Sequence, residues 1–132
     1  MYRKILVALD TTASDQELLP HIVELAVLAK SELLLLHGLL AKAGQSAIDT
    51  AKAIALLVKN NATHIAPFFF GGGAIPQGML PLIAIPTTAG TGSEVTFVSI
   101  VTEPHTQRKL LVRHPSIAPH VALVDPVLCA TM

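Results

Sequence analysis

The sequence predicts an α/β domain: three layers around a mostly parallel sheet, with an antiparallel hairpin towards the C-terminal end. Three observations predict it. Ile5–Leu9, Glu32–His37 and Leu82–Ile85 are short, nearly uninterrupted apolar runs, the pattern of parallel strands covered on both faces. Between them lie two stretches whose apolar residues recur every three or four positions, as in helices that carry a chain from one parallel strand to the next. Hydrophobic residues make up 52% of the 132 and charged ones 14%, too apolar for a disordered chain and enough for one core.

Taken in order, residues 3–9 form the first strand, which ends at Asp10-Thr11-Thr12. Ser14 with Glu17 makes a capping box for a helix carried by Leu18, Ile22, Leu25, Ala26 and Ala29 to about Lys30, with Pro20 bending its early turns. Glu32–His37 is the second strand and Gly38–Gln45 a loop. Ser46 opens the second helix, with Asp49 at its third position, where an acid favours the positive helix end. Ile48, Ala51, Ile54, Ala55 and Val58 give that helix an apolar stripe, and Asn60-Asn61 stop it. Residues 61–79 form a long connection in which Phe68-Phe69-Phe70 is expected to pack as a plug or at a partner's surface. Leu82–Ile85 follows as a strand. Val98–Thr102 and Lys109–Arg113 flank Glu103–Gln107 as a hairpin, and Val121–Val124 is a last strand closed by Asp125-Pro126. The order β-α-β-α-β, hairpin, β describes a single Rossmann-like or flavodoxin-like domain over residues 1–132.

Composition excludes several functions. Nine basic residues balance nine acidic ones, so there is no electrostatic footprint for nucleic acid or an anionic membrane. No run approaches the ~18 apolar residues of a spanning helix. Met1-Tyr2-Arg3-Lys4 and the apolar residues after it superficially suggest a signal peptide, but Asp10 interrupts the run too early. The single cysteine, Cys129, offers no internal disulfide and fits a reducing, cytoplasmic setting. Surplus apolar surface without net charge favours self-association, as a homodimer or higher oligomer.

Functional chemistry concentrates in Pro81-Leu-Ile-Ala-Ile-Pro-Thr-Thr-Ala-Gly-Thr-Gly-Ser-Glu-Val-Thr96. The small and hydroxyl residues after Pro86 let backbone N–H groups and hydroxyls approach an anionic ligand; composition alone equally allows a Gly-rich turn between strands. Leu80–Thr96 resembles the nucleotide-contacting loop of the iron-containing (group III) alcohol dehydrogenases. Ser46-Ala-Ile-Asp49-Thr-Ala-Lys52-Ala-Ile-Ala resembles the helix after that family's Gly-Gly-Gly-Ser turn, and Ala118-Pro-His-Val-Ala-Leu-Val-Asp-Pro126 resembles the strand that closes its nucleotide domain. The likeness covers residues from about 39 to 132. It implies that NAD(P) pyrophosphate lies between the glycine turn and the Thr-Thr loop, with Gly44, Ser46, Asp49, Thr87, Thr88 and Thr91 as cofactor-binding positions.

Two departures weaken that implication. Ala43-Gly44-Gln45-Ser46 stands where the family has three glycines and a serine, so NAD(P) binding is expected to be weak at most. The family's iron ligands lie in an all-helical domain beyond the nucleotide domain, and this sequence ends at Met132; neither catalysis nor a metal is expected. His21, His37, His64, His105, His114 and His120 contain no pair spaced for one helix face and read as loop or surface residues.

Residues 1–38 resemble the start of a universal stress protein, through Met1–Asp10, a capped helix, and Ser31-Glu-Leu-Leu-Leu-Leu-His37. That resemblance implies an ATP-contacting role for Asp10, but the family's Gly-x2-Gly-x9-Gly-Ser/Thr loop has no counterpart here, leaving a plain strand-end residue as the other reading. Together the two likenesses imply a chimera: a stress-protein-like β-α-β unit (1–38) joined to a dehydrogenase-like nucleotide-domain fragment (39–132). A self-associating structural domain without a ligand and a stress-protein-like ATP binder are the alternative functions.

Overall fold

A computed structural model describes residues 4–9, 23–24, 27, 32–37, 46–69, 75–103 and 106–129. Four strands, β1 (Lys4–Leu9), β2 (Glu32–His37), β3 (Leu82–Ile85) and β6 (Val121–Ala122), form one parallel sheet in the order β2-β1-β3-β6. Strands β4 (Val98–Thr102) and β5 (Lys109–Arg113) form a separate antiparallel pair, with Val98 opposite Arg113 and Thr102 opposite Lys109. Their turn is closed by the Glu103 amide donating to Arg108 O at 2.9 Å, with Gln107 in the left-handed region. This is the α/β, Rossmann-like arrangement the sequence predicts. Residues 23, 24 and 27 are helical, as expected; the proposed cap at Ser14 and the bend at Pro20 lie outside the described residues.

Helix α1 (Ala47–Lys59) packs against β1 and β3 of the sheet and against β4 of the hairpin. Covering on both flanks explains why burial runs nearly all round its first ten residues, polar Asp49 and Lys52 included. Four alanines (47, 51, 53 and 55) keep that part of the helix slim enough for close approach. Ile48, Ala51 and Ala55 are buried as the stripe predicts, but Val58 is exposed and Leu56 takes the inner place. The reason is geometric: with partners on two sides, the buried face widens beyond a single stripe. Ala51, Ala55 and Leu56 meet Leu82 and Ala84 of β3, Met79, Val112 and Ile117 in one core, with Phe68 partly buried against it.

Two other expectations are corrected. The last strand is two residues long and does not reach Val124. Leu123 N still bonds Ala84 O, but Asp125 then turns the chain into α2 (Pro126–Cys129), its Oδ1 accepting from Val127 N at 2.9 Å. Phe68 ends a 3₁₀ turn (Ala66–Phe68) and is not in irregular chain; Phe69 is exposed, and Phe70 is outside the described residues. Among the described residues no helix is long and apolar enough to cross a membrane.

Candidate functional site

The strand order places a topological switch between β1 and β3: the chain leaves β1 for β2 on one side and returns to β3 on the other. Open parallel sheets bind ligands in the crevice outside the carboxyl ends of strands at such a point. The segment leaving the carboxyl end of β3 is the Thr87–Ser93 loop. Thr87 is buried, Thr88 half-buried and Thr91 exposed. Gly90 and Gly92 have φ of +89° and +66°, a conformation that side chains beyond Cα resist. At Gly90 nothing lies within 4 Å of where a Cβ would stand, so the backbone there is open to an approaching group. The amides of Val95 and Thr96 both donate to Gly92 O at 3.1 Å and close the loop's exit into a turn.

Facing this exit is the start of α1. Ser46 has extended backbone and caps the helix, its Oγ accepting from Asp49 N at 3.4 Å, which satisfies one of the free N–H groups of the first turn. Loop and helix lie close together: the Ser93 side chain is near enough to the Asp49 carboxylate to pull its pKa down, the weakest of the influences on it. Asp49 Oδ2 also accepts from Ile100 N at 3.3 Å, while Ser99 Oγ donates to the Asp49 carbonyl at 2.7 Å.

One turn on, Lys52 is 0% exposed. Its ammonium donates to Thr96 O (2.8 Å), Thr96 Oγ1 (3.2 Å) and Val98 O (2.8 Å), and stands 3.8 Å from Asp49 Oδ1. Burial pushes the Lys52 pKa down, against the raising pull of Asp49 and Glu94. Burial likewise raises the Asp49 carboxyl above its ordinary value, outweighing the Ile100 amide, the Lys52 charge and the Ser93 hydroxyl. Asp49 Oδ1 and Glu94 Oε2 are buried without a hydrogen-bond partner. In a dry site such oxygens favour a ligand that brings donors.

Of the residues singled out from sequence, Asp49 is brought to the loop's exit, Ser46 caps the same helix turn, and Thr87, Thr88 and Thr91 lie on the loop itself. Thr88 also lines a cavity of about 360 Å³ with Pro86, Gly90, Glu94, Val124 and Pro126. Asp10, Gly44 and the departures at Ala43 and Gln45 lie outside the described residues. Sequence reasoning passed over Lys52, Ser93 and Glu94 as site residues. The available signal was a charged pair three residues apart, Asp49 and Lys52, inside an otherwise alanine-rich helix.

The histidines only partly match expectation. His37 closes β2, as the strand Glu32–His37 predicts; His114 caps a 3₁₀ turn by accepting from Ser116 N at 3.2 Å; and His120 is exposed, its Nδ1 3.4 Å from Leu82 N. Among the described residues no three His, Cys, Asp or Glu side chains are grouped so as to hold a metal ion.

The family model for "Iron-containing alcohol dehydrogenase" matches residues 6–126. The chain is 44% identical over 91 residues to the "Probable alcohol dehydrogenase EutG" of Escherichia coli (strain K12), covering 69% of this chain and 22% of that protein. It is 43% identical over 97 residues to the mitochondrial hydroxyacid-oxoacid transhydrogenase of Caenorhabditis elegans, covering 70% and 21%. It therefore spans about a fifth of the length of these curated relatives. The iron-containing alcohol dehydrogenase of Thermococcus thioreducens superposes with a TM-score of 0.76 at 26% identity, over 99% of this chain and 42% of that one. The sulfoacetaldehyde reductase of Bifidobacterium kashiwanohense, solved in complex with NAD+, gives 0.71 at 25% identity, over 100% and 40%. The family match includes most of residues 1–38, where the resemblance to universal stress proteins lay.

Proposed function

This chain belongs to the iron-containing alcohol dehydrogenase family, and from that premise we propose that it is a dinucleotide-binding unit whose ligand is NAD(P). The observation that carries the reading is the tie of α1 to the exit of the Thr87–Ser93 loop, through Lys52 to Thr96 and Val98 and through Asp49 to Ile100, at the topological switch of a parallel sheet. In this reading the pyrophosphate lies along the loop, with the Thr87, Thr88 and Thr91 hydroxyls, the open backbone at Gly90 and the N-terminus of α1 at Ser46 turned to its charge. Asp49 and Glu94 accept from donor groups of the ligand. Bound NAD(P) supplies the hydride-carrying chemistry; the chain's own residues hold and orient it. Asp10 and Gly44 remain assigned to the cofactor on sequence grounds alone.

The 132-residue chain by itself turns over no alcohol in this proposal, because the described residues provide no iron ligand set. Metal-dependent NADH production from a simple alcohol with Fe²⁺ or Zn²⁺ supplied would overturn that part. We further propose a homodimer, in the cytoplasm, formed along the β6 edge, where Val121, Leu123, Val124 and Val127 are exposed together with Phe69 elsewhere on the surface. A 13.9 kDa species in sedimentation equilibrium would contradict it.

A recombined origin is the finer part of the proposal, supported by the stress-protein spelling of residues 1–38. Exchanging that stretch for the opening strands of an iron-containing alcohol dehydrogenase tests it: a grafted seam predicts a higher melting point, a native one a lower. Thermal-shift titration with NADH, ATP and no ligand tests the function. A shift with NADH supports the proposal. A shift with ATP alone favours the stress-protein-like reading, and none with either favours a structural domain.

A further inference from the structure

Lysine is rarely taken wholly out of water, because its solvated charge is expensive to bury and an apolar replacement is often at least as stable. Lys52 is nevertheless fully covered, and where its charge goes is specific. An ammonium has three N–H donors, and here they meet three oxygens, all from Thr96 and Val98, 44 and 46 residues further along the chain. Two of the three are main-chain carbonyls, so the contact fixes backbone where the loop becomes β4. Thr96 in turn donates its amide to Gly92 O, carrying the constraint into the glycine turn. The loop needs such an anchor, since Gly90 and Gly92 are the residues with the widest backbone freedom. Asp49 Oδ2 accepts from Ile100 N just beyond the same stretch.

We propose that Lys52 is a positioning residue that clamps the exit of the Thr87–Ser93 loop to α1 and so fixes the loop in its ligand-ready shape. For its effect on binding, the proposal rests on the nucleotide reading above. Lys52 touches no ligand itself. It acts through Thr96 and Val98.

The test compares Lys52→Met, which fills the same volume without donors, with Lys52→Gln, which restores two N–H donors without charge. Two quantities are read on each: amide hydrogen exchange without ligand, and NADH affinity. In Lys52→Met the amides of Val95 and Thr96 should exchange about tenfold faster or more while α1 keeps its protection, and NADH should bind about tenfold more weakly. Lys52→Gln should fall between Met and the native protein on both. Unchanged exchange at Val95 and Thr96 overturns the clamp. So does an equal acceleration along α1, or failure of both variants to fold, since either makes Lys52 a general element of stability. Should the native chain bind no NADH, the nucleotide reading fails separately, and the exchange data still decide the clamp.

Discussion

Replacing Asp49 by asparagine should leave the fold intact and, at neutral pH, make it no less stable. An asparagine oxygen can still accept from the Ile100 amide, now 3.3 Å from Oδ2, so a bond worth about 1 kcal/mol is kept. Its NH₂ group would stand where Oδ1 has no hydrogen-bond partner. What is lost is the attraction to Lys52 Nζ at 3.8 Å. The balance is set by burial, the largest influence on this carboxyl, which raises its pKa above 3.8 despite the three groups that lower it. The folded state thus binds a proton more tightly than the unfolded chain. Stability contributed by the neutral carboxyl is fully present below 3.8 and is lost as pH rises through the raised folded value. Above that window the charge is a constant penalty, and asparagine removes it. Net change at pH 7 should lie between zero and about 1 kcal/mol of added stability, or up to about 4 °C in Tm. Urea denaturation from pH 4 to 7 would show the native chain losing stability through the window and the variant lacking that fall. Asp49→Ala is the contrast: it removes the same charge but also orphans the Ile100 amide, and should be less stable than Asp49→Asn by about 1–3 kcal/mol. An asparagine variant less stable by about 2 kcal/mol or more at pH 7 would refute the reasoning, because the ion pair would then outweigh burial.

Further outcomes follow from the same contacts. Ser46→Ala removes the side-chain cap on Asp49 N and should cost about 1 kcal/mol by chemical denaturation. Leu82→Ala, at a position with 0% exposure between α1 and the sheet, should cost about 3 kcal/mol and lower Tm by roughly 10 °C in calorimetry. Lys52 gives the opposite pH sign from Asp49 at the alkaline end: its pKa is lowered from 10.5, so the unfolded chain holds the proton more tightly and this group's penalty is relieved as pH climbs towards 10.5. Lys52→Met should abolish that alkaline rise in a denaturation series.

Much of the fold is legible because its signals are local. β2, β3, β4 and β5 occupy the residues their apolar runs mark, since proline, glycine or charge bounds each run on at least one side. Ser46 starts α1 and Asn60 caps its end because capping depends on a few neighbouring residues. Legibility fails where the deciding partner is distant in sequence. Val124 is β-prone, yet the Asp125 cap of α2 ends the strand first. Lys52 looks like a solvated helix residue until β4 and the loop exit are laid over it from more than forty positions away. Leu56 outranks Val58 in the core because α1 is covered by the hairpin as well as the sheet. The Thr87–Ser93 loop is recognisable by its spelling, but the tie of its exit to α1, through Lys52 to Thr96 and Val98, is a tertiary fact.

The most direct measurement is an NADH titration of the native chain followed by residue-resolved NMR, with ATP as the comparison. Saturable NADH binding is expected, with perturbations concentrated at Ser46–Asp49 and Thr87–Ser93 and weaker effects on the hairpin turn near Gln107. Saturation with perturbations confined to the hairpin, or no response to NADH at millimolar concentration, would contradict it.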